Sequence, residues 1–266
     1  MAYELWDGRI LTWSLETHLV DHCNLRCQNC CTLSPHLPQR AISLDELARD
    51  LARAAAVLRP QVFKLTGGEP LAHPDIVGCL DVVRESGIAR RVSITTNGFL
   101  LPKAPETLWK RIDRLTLSWY GSAPLPDSIL ALAKERAREH QVLLTLKRYD
   151  AFQRMTREPS ADDQGPSTQE VFDRCWLKVR CHLLYRGRFY LCTRPPHLDP
   201  YLRQRGELLN LSSKDGVSLD EPELLSRLLA YLEAREPLTS CRYCWGAAGE
   251  WEPHRQIKNE SKPSVC

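Results

Sequence analysis

No apolar run in this 266-residue chain approaches the ~20 residues that a membrane-spanning helix needs. The start, Met1 to Gly8, has neither the basic lead nor the apolar core of a secretory signal. An excess of one charge is missing too: the formal net charge is +3, which calls for neither a nucleic-acid nor a membrane partner. Internal repeats and low-complexity tracts are absent, which excludes a solenoid or a disordered linker protein. These absences point to a cytoplasmic setting, where thiols stay reduced and cysteines read as metal ligands or free thiols rather than disulfides. At 43% hydrophobic the chain can bury a sizeable core, as one large domain or as a large and a small one.

Cysteine is what the chain has in abundance, with eleven in all. Three of them fall in Cys23-Asn24-Leu25-Arg26-Cys27-Gln28-Asn29-Cys30, directly after the strand-like run Leu15–Val20, and Cys31 follows at once. Three thiolates on one short loop can hold three irons of a cubane cluster and leave the fourth open to a substrate or cofactor.

Around this loop the pattern alternates. Residues 3–20 read as two short strands about an Asp7-Gly8 turn. Ser43 and Glu46 form a capping box that opens a helix with Leu44, Leu47, Leu51, Ala55 and Leu58 on one face, stopped by Pro60. Val62–Leu65 reads as a strand, followed by a helix from Pro74 to Gly87. Then come a strand over Val92–Thr96, a short helix about Glu106–Lys110, a strand over Leu115–Trp119, a helix over Asp127–His140 and a strand over Val142–Leu146. Alternation of this kind predicts an α/β fold with a parallel sheet, and the length to residue 150 favours a partial (β/α) barrel. Residues 153–170 read as a linker or surface loop. Beyond it lie a hairpin through Arg186-Gly187, a helix near Pro222–Arg235 and a polar tail after Trp251, expected to be loosely held.

The cysteine loop, Gly67-Gly68-Glu69-Pro70 after the second strand and Thr95-Thr96-Asn97-Gly98 after the third resemble, in this order, the radical S-adenosylmethionine (SAM) superfamily. The resemblance implies a partial barrel over 1–150 with a [4Fe–4S] cluster on Cys23, Cys27 and Cys30, whose open iron chelates SAM. Gly67 and Gly68 would let backbone approach the methionyl end, with Pro70 closing that turn, and Glu69 would pair with its ammonium. Thr96, Asn97 and Ser118, at later strand ends, would hydrogen-bond its ribose or carboxylate; Ser118 is equally an ordinary strand-end hydroxyl. Arg26 would steady the anionic cluster. Family members carry an aromatic or similar residue before the third cysteine to pack on adenine; here it is Asn29, so that contact must come from elsewhere.

Cys175, Gly187, Cys192 and Cys241-Arg242-Tyr243-Cys244 resemble the short "Twitch" form of the SPASM auxiliary domain. That implies a second [4Fe–4S] cluster on Cys175, Cys192, Cys241 and Cys244 in a domain over 171–250, after a 151–170 linker and before a 251–266 tail. A four-cysteine zinc site has the same spacing. The remaining cysteines are Cys31, expected beneath the cluster loop, Cys79, expected in the core, Cys266 and Cys181. Cys181 is either a buried thiol or a hydrogen-atom donor to a substrate radical. His18 and His22 read as solvated or core histidines, and Lys147, Arg148 and Asp150 as a charged strand end facing the barrel mouth.

The implied activity is SAM cleavage to a 5′-deoxyadenosyl radical that oxidises or epimerises a carbinol carbon of a small aminosugar- or aminocyclitol-type molecule. A flavodoxin- or ferredoxin-type donor would supply the electron. Maturation of a ribosomally made peptide is the alternative; the ~20 residues before Cys23 are too few for a peptide-binding domain. A zinc-stapled binding protein is the non-enzymatic reading.

Overall fold

The computed structural model describes residues 3–158 and 165–257; Cys266, the end of the expected tail and the middle of the expected 153–170 loop lie outside the described residues. Asp7 and Gly8 both take left-handed φ and join β1 (Leu5–Trp6) to β2 (Arg9–Val20). β2 is one long strand rather than a short one, because Thr12, Ser14, Glu16 and His18 alternate with Trp13, Leu15, Thr17 and Leu19. Half of the expected capping box of α1 (Leu44–Val57) forms: Ser43 accepts from the Glu46 amide, while the Glu46 carboxylate accepts from Arg40 rather than from the Ser43 amide. Its Leu47, Leu51 and Ala54 are buried in the core.

Leu58 ends α1 and already belongs to β3 (Leu58–Gly67). Pro60 therefore lies inside a strand, opposite Thr12, rather than between elements. Proline is tolerated there because it sits near the strand's start, where its fixed φ fits and a missing N–H matters least. α2 (Ile76–Glu85) starts after Asp75, whose carboxylate accepts from the Gly78 amide, two residues later than Pro74 suggested. β4 (Arg91–Thr96), β5 (Arg114–Tyr120), α3 (Asp127–Glu139) and β6 (Leu143–Tyr149) follow. Strands β2 to β6 are neighbours in sequence order and all parallel. Leu15, Phe63, Leu65, Ile94 and Leu115 line one face and pack with α1 and α2. This is the expected partial barrel.

The C-terminal third holds β7 (Ala151–Gln153), α4 (Thr168–Arg174), α5 (Leu177–Arg180), β8 (His182–Tyr185), β9 (Arg188–Tyr190), α6 (Arg194–Arg203), α7 (Leu211–Lys214), β10 (Gly216–Ser218), α8 (Leu224–Glu233) and β11 (Trp251–Pro253). β8 lies parallel to β2, and β9 and β10 continue antiparallel from it, so the barrel's own sheet runs on past its first strand. The boundary drawn at 171 thus falls in chain that feeds the same sheet. α6 runs its buried Arg194 and His197 toward the barrel, His197 against His18 on β2.

The tail expectation is corrected. β11 pairs antiparallel with β7, and the chain to Ile257 runs along the cysteine loop. A polar stretch is held here because its backbone finds partners on that loop: the Gln28 amide donates to the Arg255 carbonyl, and the Ile257 amide to that of Arg26.

Candidate active site

All three motifs meet at the C-terminal ends of β2, β3 and β4, where parallel sheets place their sites. Gly67 has a φ of 132°, and a Cβ there would stand 2.3 Å from the Val20 carbonyl oxygen; one on Gly68 would stand 1.9 Å from that of His22. These glycines let the β3 end lie flat on the start of the cysteine loop, with the Gly68 and Glu69 amides donating to Val20 and His22. Pro70 is buried and opens a 3-10 turn directly after Glu69.

Glu69 is 1% exposed. Its carboxylate accepts from Thr96 Oγ1 (2.6 Å), the Asn97 amide (2.8 Å) and the Leu71 amide (3.1 Å). Burial pushes its pKa up to about 7 against those bonds. The Thr96 hydroxyl is thus engaged by Glu69 and the Gly98 amide. Asn97 turns its Nδ2 to Asn24 Oδ1 (2.7 Å) and toward Cys23 Sγ (3.5 Å), so its side chain supports the cysteine loop. Ser118 is buried against the Tyr120 hydroxyl.

Burial raises the thiol of Cys23 to about 12 and that of Cys27 to about 11, and neighbouring cysteines of the loop push each further up. Such thiols become thiolates only when a metal brings positive charge, which is the donor set an iron–sulfur cluster requires. The loop is braced from the C-terminus, where no sequence motif pointed: Gln256 accepts from the Arg26 amide (2.6 Å) and donates to Cys27 Sγ (3.3 Å). Asn29, with a φ of 58°, donates to Glu252. The Arg26 side chain keeps a buried Nε without a partner.

Tyr120, also missed, is buried near the three loop cysteines, and burial first and those cysteines second push its pKa well up. It stacks on His254 (4.9 Å between centroids) and meets Tyr149 and Phe152. These aromatics come from β5, β6, β7 and the C-terminal strap, separations that no local pattern reveals.

Cys175, Cys192, Cys241 and Cys244 come together. Cys192 and Cys244 are buried in one cluster with Met155 and Leu177, against which Cys175 packs. Cys192 feels the other three thiols and Cys241 feels Cys244 and Cys175. Among the described residues no three cysteine sulfurs lie within 4.8 Å of one another.

The sheet face opposite the apolar core is polar. In register across the strands stand Glu16 and Lys64, then His18 and Thr66, then Thr95, Thr116 and Thr145, then Ser118 and Lys147. Glu16 lies 3.9 Å from both Lys64 and His18. Arg148 and Asp150 pair with each other at the rim (2.9 Å). His18, expected to be solvated or core, is buried and bonded to His197 at 2.7 Å. Cys181 packs against the cluster of Met155, Leu177, Cys192 and Cys244; burial raises its pKa, with Glu16, Cys31 and Cys175 adding to that and Lys64 opposing it. Cys31, expected beneath the cluster loop, is exposed instead; its backbone carbonyl, not its thiol, turns inward and accepts from the buried Arg194. Cys79 is buried in α2 as expected. A surface cleft of about 560 Å³ among Arg9, Arg59, Arg90 and Arg91 lies at the opposite end of the strands, and no cysteine lines it.

Comparison with known proteins agrees at the level of the superfamily. The GTP 3',8-cyclase of Trichodesmium erythraeum (strain IMS101) is 35% identical over 100 residues, 36% of this chain and 30% of that protein. That of Marinobacter nauticus (strain ATCC 700491 / DSM 11845 / VT8) is 40% identical over 118 residues, 42% and 34%. The matched stretch is thus about a third of the length of these curated relatives. In solved structures the fold resembles BtrN in complex with AdoMet and 2-DOIA, with TM-score 0.52 and 14% identity over 89% of this chain and 94% of that one. It also resembles hexahistidine-tagged anSMEcpe with bound AdoMet, with TM-score 0.50 and 14% identity over 89% and 88%. Residues 18–152, half of the chain, match the family model of the Radical SAM superfamily, and they carry all three motifs at the strand ends: the chain belongs to the radical SAM superfamily.

Proposed function

We propose that this chain oxidises or epimerises a carbinol carbon of a small aminosugar- or aminocyclitol-type molecule by radical SAM chemistry, with a second [4Fe–4S] cluster on Cys175, Cys192, Cys241 and Cys244. The observation that carries the reading is the place of Cys181, packed on the cluster that holds Cys192 and Cys244 and one residue before β8, which pairs with the barrel strand β2. When bound, SAM and the first cluster supply a 5′-deoxyadenosyl radical that removes a hydrogen atom, and the second cluster supplies a one-electron partner.

The chain's own residues bind and orient. Cys23, Cys27 and Cys30 would hold three irons and leave one for SAM. Glu69, a buried carboxylate bonded only to neutral donors, suits the SAM ammonium. Tyr120 and His254 offer the aromatic surface that Asn29 does not. Thr66, Thr95 and Thr116 present donors and acceptors that match a substrate rich in hydroxyls, and Glu16 suits its amine. Net oxidation requires the substrate to lose one further electron, to the second cluster, and a proton, for which the Glu16 carboxylate on the polar sheet face is the available base. Net epimerisation requires a hydrogen atom returned to the other face. The Cys181 thiol, kept protonated by burial, can give it, and the thiyl radical left behind would return to the thiol with one electron from the second cluster and one proton. A flavodoxin- or ferredoxin-type protein would deliver the first electron.

A tetrahedral zinc site would hold its sulfurs about 3.8 Å apart, given Zn–S bonds of ~2.3 Å. The same four cysteines suit either metal, and the iron and zinc content of the reconstituted chain decides between them. Peptide maturation has one feature in its favour: β6 is one of the two sheet edges among the described residues, with Leu143 and Leu146 exposed, and could take an extended chain.

The test is label transfer under reducing, anaerobic conditions from three substrates: aminocyclitols deuterated at their carbinol carbons, a deuterated peptide, and GTP, because the curated relatives are GTP 3',8-cyclases. Deuterium in 5′-deoxyadenosine from an aminocyclitol is expected. Label or product from the peptide or GTP alone would overturn the assignment.

A further inference from the structure

Arg194 touches both cysteine groups. It opens α6 two residues after Cys192, whose sulfur its amide faces. One guanidinium nitrogen donates to the Cys31 carbonyl (2.8 Å), beside Cys30. Another donates to Thr156 Oγ1 (2.8 Å), and Thr156 is paired with Cys244 in a β-bridge. The side chain is 2% exposed, and its Nε is buried with no partner. Among the described residues no carboxylate pairs with it; Glu16, an acid of the polar side of the sheet, faces Lys64 and His18.

A buried guanidinium without an anion costs several kcal/mol, and a fold keeps one where something negative arrives to balance it. The groups around Arg194 that can become negative are the cysteine sulfurs, on metal binding. His197, one turn along α6, adds no competing positive charge, since burial and the neighbouring His18 and Arg194 hold its pKa well below the usual range.

We propose that Arg194 is the buried counter-charge of the two iron–sulfur centres: it stands between them, is uncompensated in the iron-free chain, and favours the reduced state of the clusters. The proposal rests on the reading that both cysteine groups hold iron. Arg194 is a positioning residue here and does not touch substrate.

Arg194→Met removes the charge at similar volume; Arg194→Lys keeps it but cannot reach both acceptors. In redox titrations of the reconstituted holoenzyme followed by electron paramagnetic resonance, R194M should lower the midpoint potential of at least one cluster, and R194K should stay near the unaltered protein. Identical potentials in R194M and the unaltered protein would overturn the proposal. Thermal unfolding of the iron-free chain serves if R194M loads iron poorly. The counter-charge role predicts a higher melting temperature for iron-free R194M and a smaller gain on iron loading. A role confined to the Cys31 and Thr156 hydrogen bonds predicts a lower one, which would also overturn it. Iron analysis of the unaltered protein separates the two failures. A chain that takes up no iron fails the cluster reading, whereas an iron-loaded chain with unmoved R194M potentials fails this inference alone.

Discussion

Three donors converge on the Glu69 carboxylate, and removing it would leave the Thr96 hydroxyl and the Asn97 and Leu71 amides without it as acceptor in a dry site. Glu69→Ala should therefore cost about 2–4 kcal/mol of stability and abolish SAM binding, read by denaturant unfolding and by calorimetry with SAM. Unchanged SAM affinity would remove Glu69 from the cofactor site. His182 gives the pH dependence. Burial lowers its pKa to about 4, while Nδ1 donates to the Leu191 carbonyl and the Tyr3 hydroxyl meets Nε2. The unfolded chain takes up this proton more readily, so the stability it contributes is present above pH 6.5 and is lost as pH falls from there through 4. The loss is about 3 kcal/mol for this group, and His182→Asn should flatten the stability profile over that window. Cys181→Ala should leave iron content and SAM cleavage intact but abolish epimer formation, measured as solvent deuterium in the product. Epimer formed at an unchanged rate would end the hydrogen-donor role. The cysteines and the glycine–glutamate motif were legible as residue types because their chemistry is rare and ordered along the chain. What the glycines do was not, since their close approach to Val20 and His22 is a property of the folded pair of loops.

At the scale of elements, capping and periodicity carried most of the information. Ser43 with Glu46 fixes the start of α1 as expected, and the alternation of β2 to β6 yields the parallel order directly. The strap after β11 is the element that local pattern could not show. Its residues are polar, its strand is three residues long, and its partners lie more than two hundred positions away on the cysteine loop. Gln256→Ala removes two hydrogen bonds to that loop, worth about 2 kcal/mol together. Iron should then leave the first site several-fold faster under a chelator, while iron of the proposed second cluster is released at its former rate. Equal release from both variants would mean that the strap does not brace the cluster loop.

For the whole molecule, the continuous sheet from β10 to β6 is the property with most consequence. Leu184, Phe189, Leu191, Leu228 and Leu232 share one apolar core with Leu15, Phe63 and Ile94. The iron-free chain should therefore unfold in one transition by far-ultraviolet circular dichroism and by tryptophan fluorescence; two separated transitions would contradict a shared core. The parallel join of β8 to β2 hid from the sequence because it links residues such as Thr17 and Leu184, whose contact costs loop-closure entropy and leaves no local mark. That join sets Cys181, one residue before β8, beside the barrel's first parallel strand. The most direct test of the account is iron and zinc content after anaerobic reconstitution, with 5′-deoxyadenosine assayed in the same sample after adding SAM and reductant. Two cubane clusters require about eight irons per chain, with 5′-deoxyadenosine formed. About four irons with one zinc, or no cleavage of SAM, would contradict it.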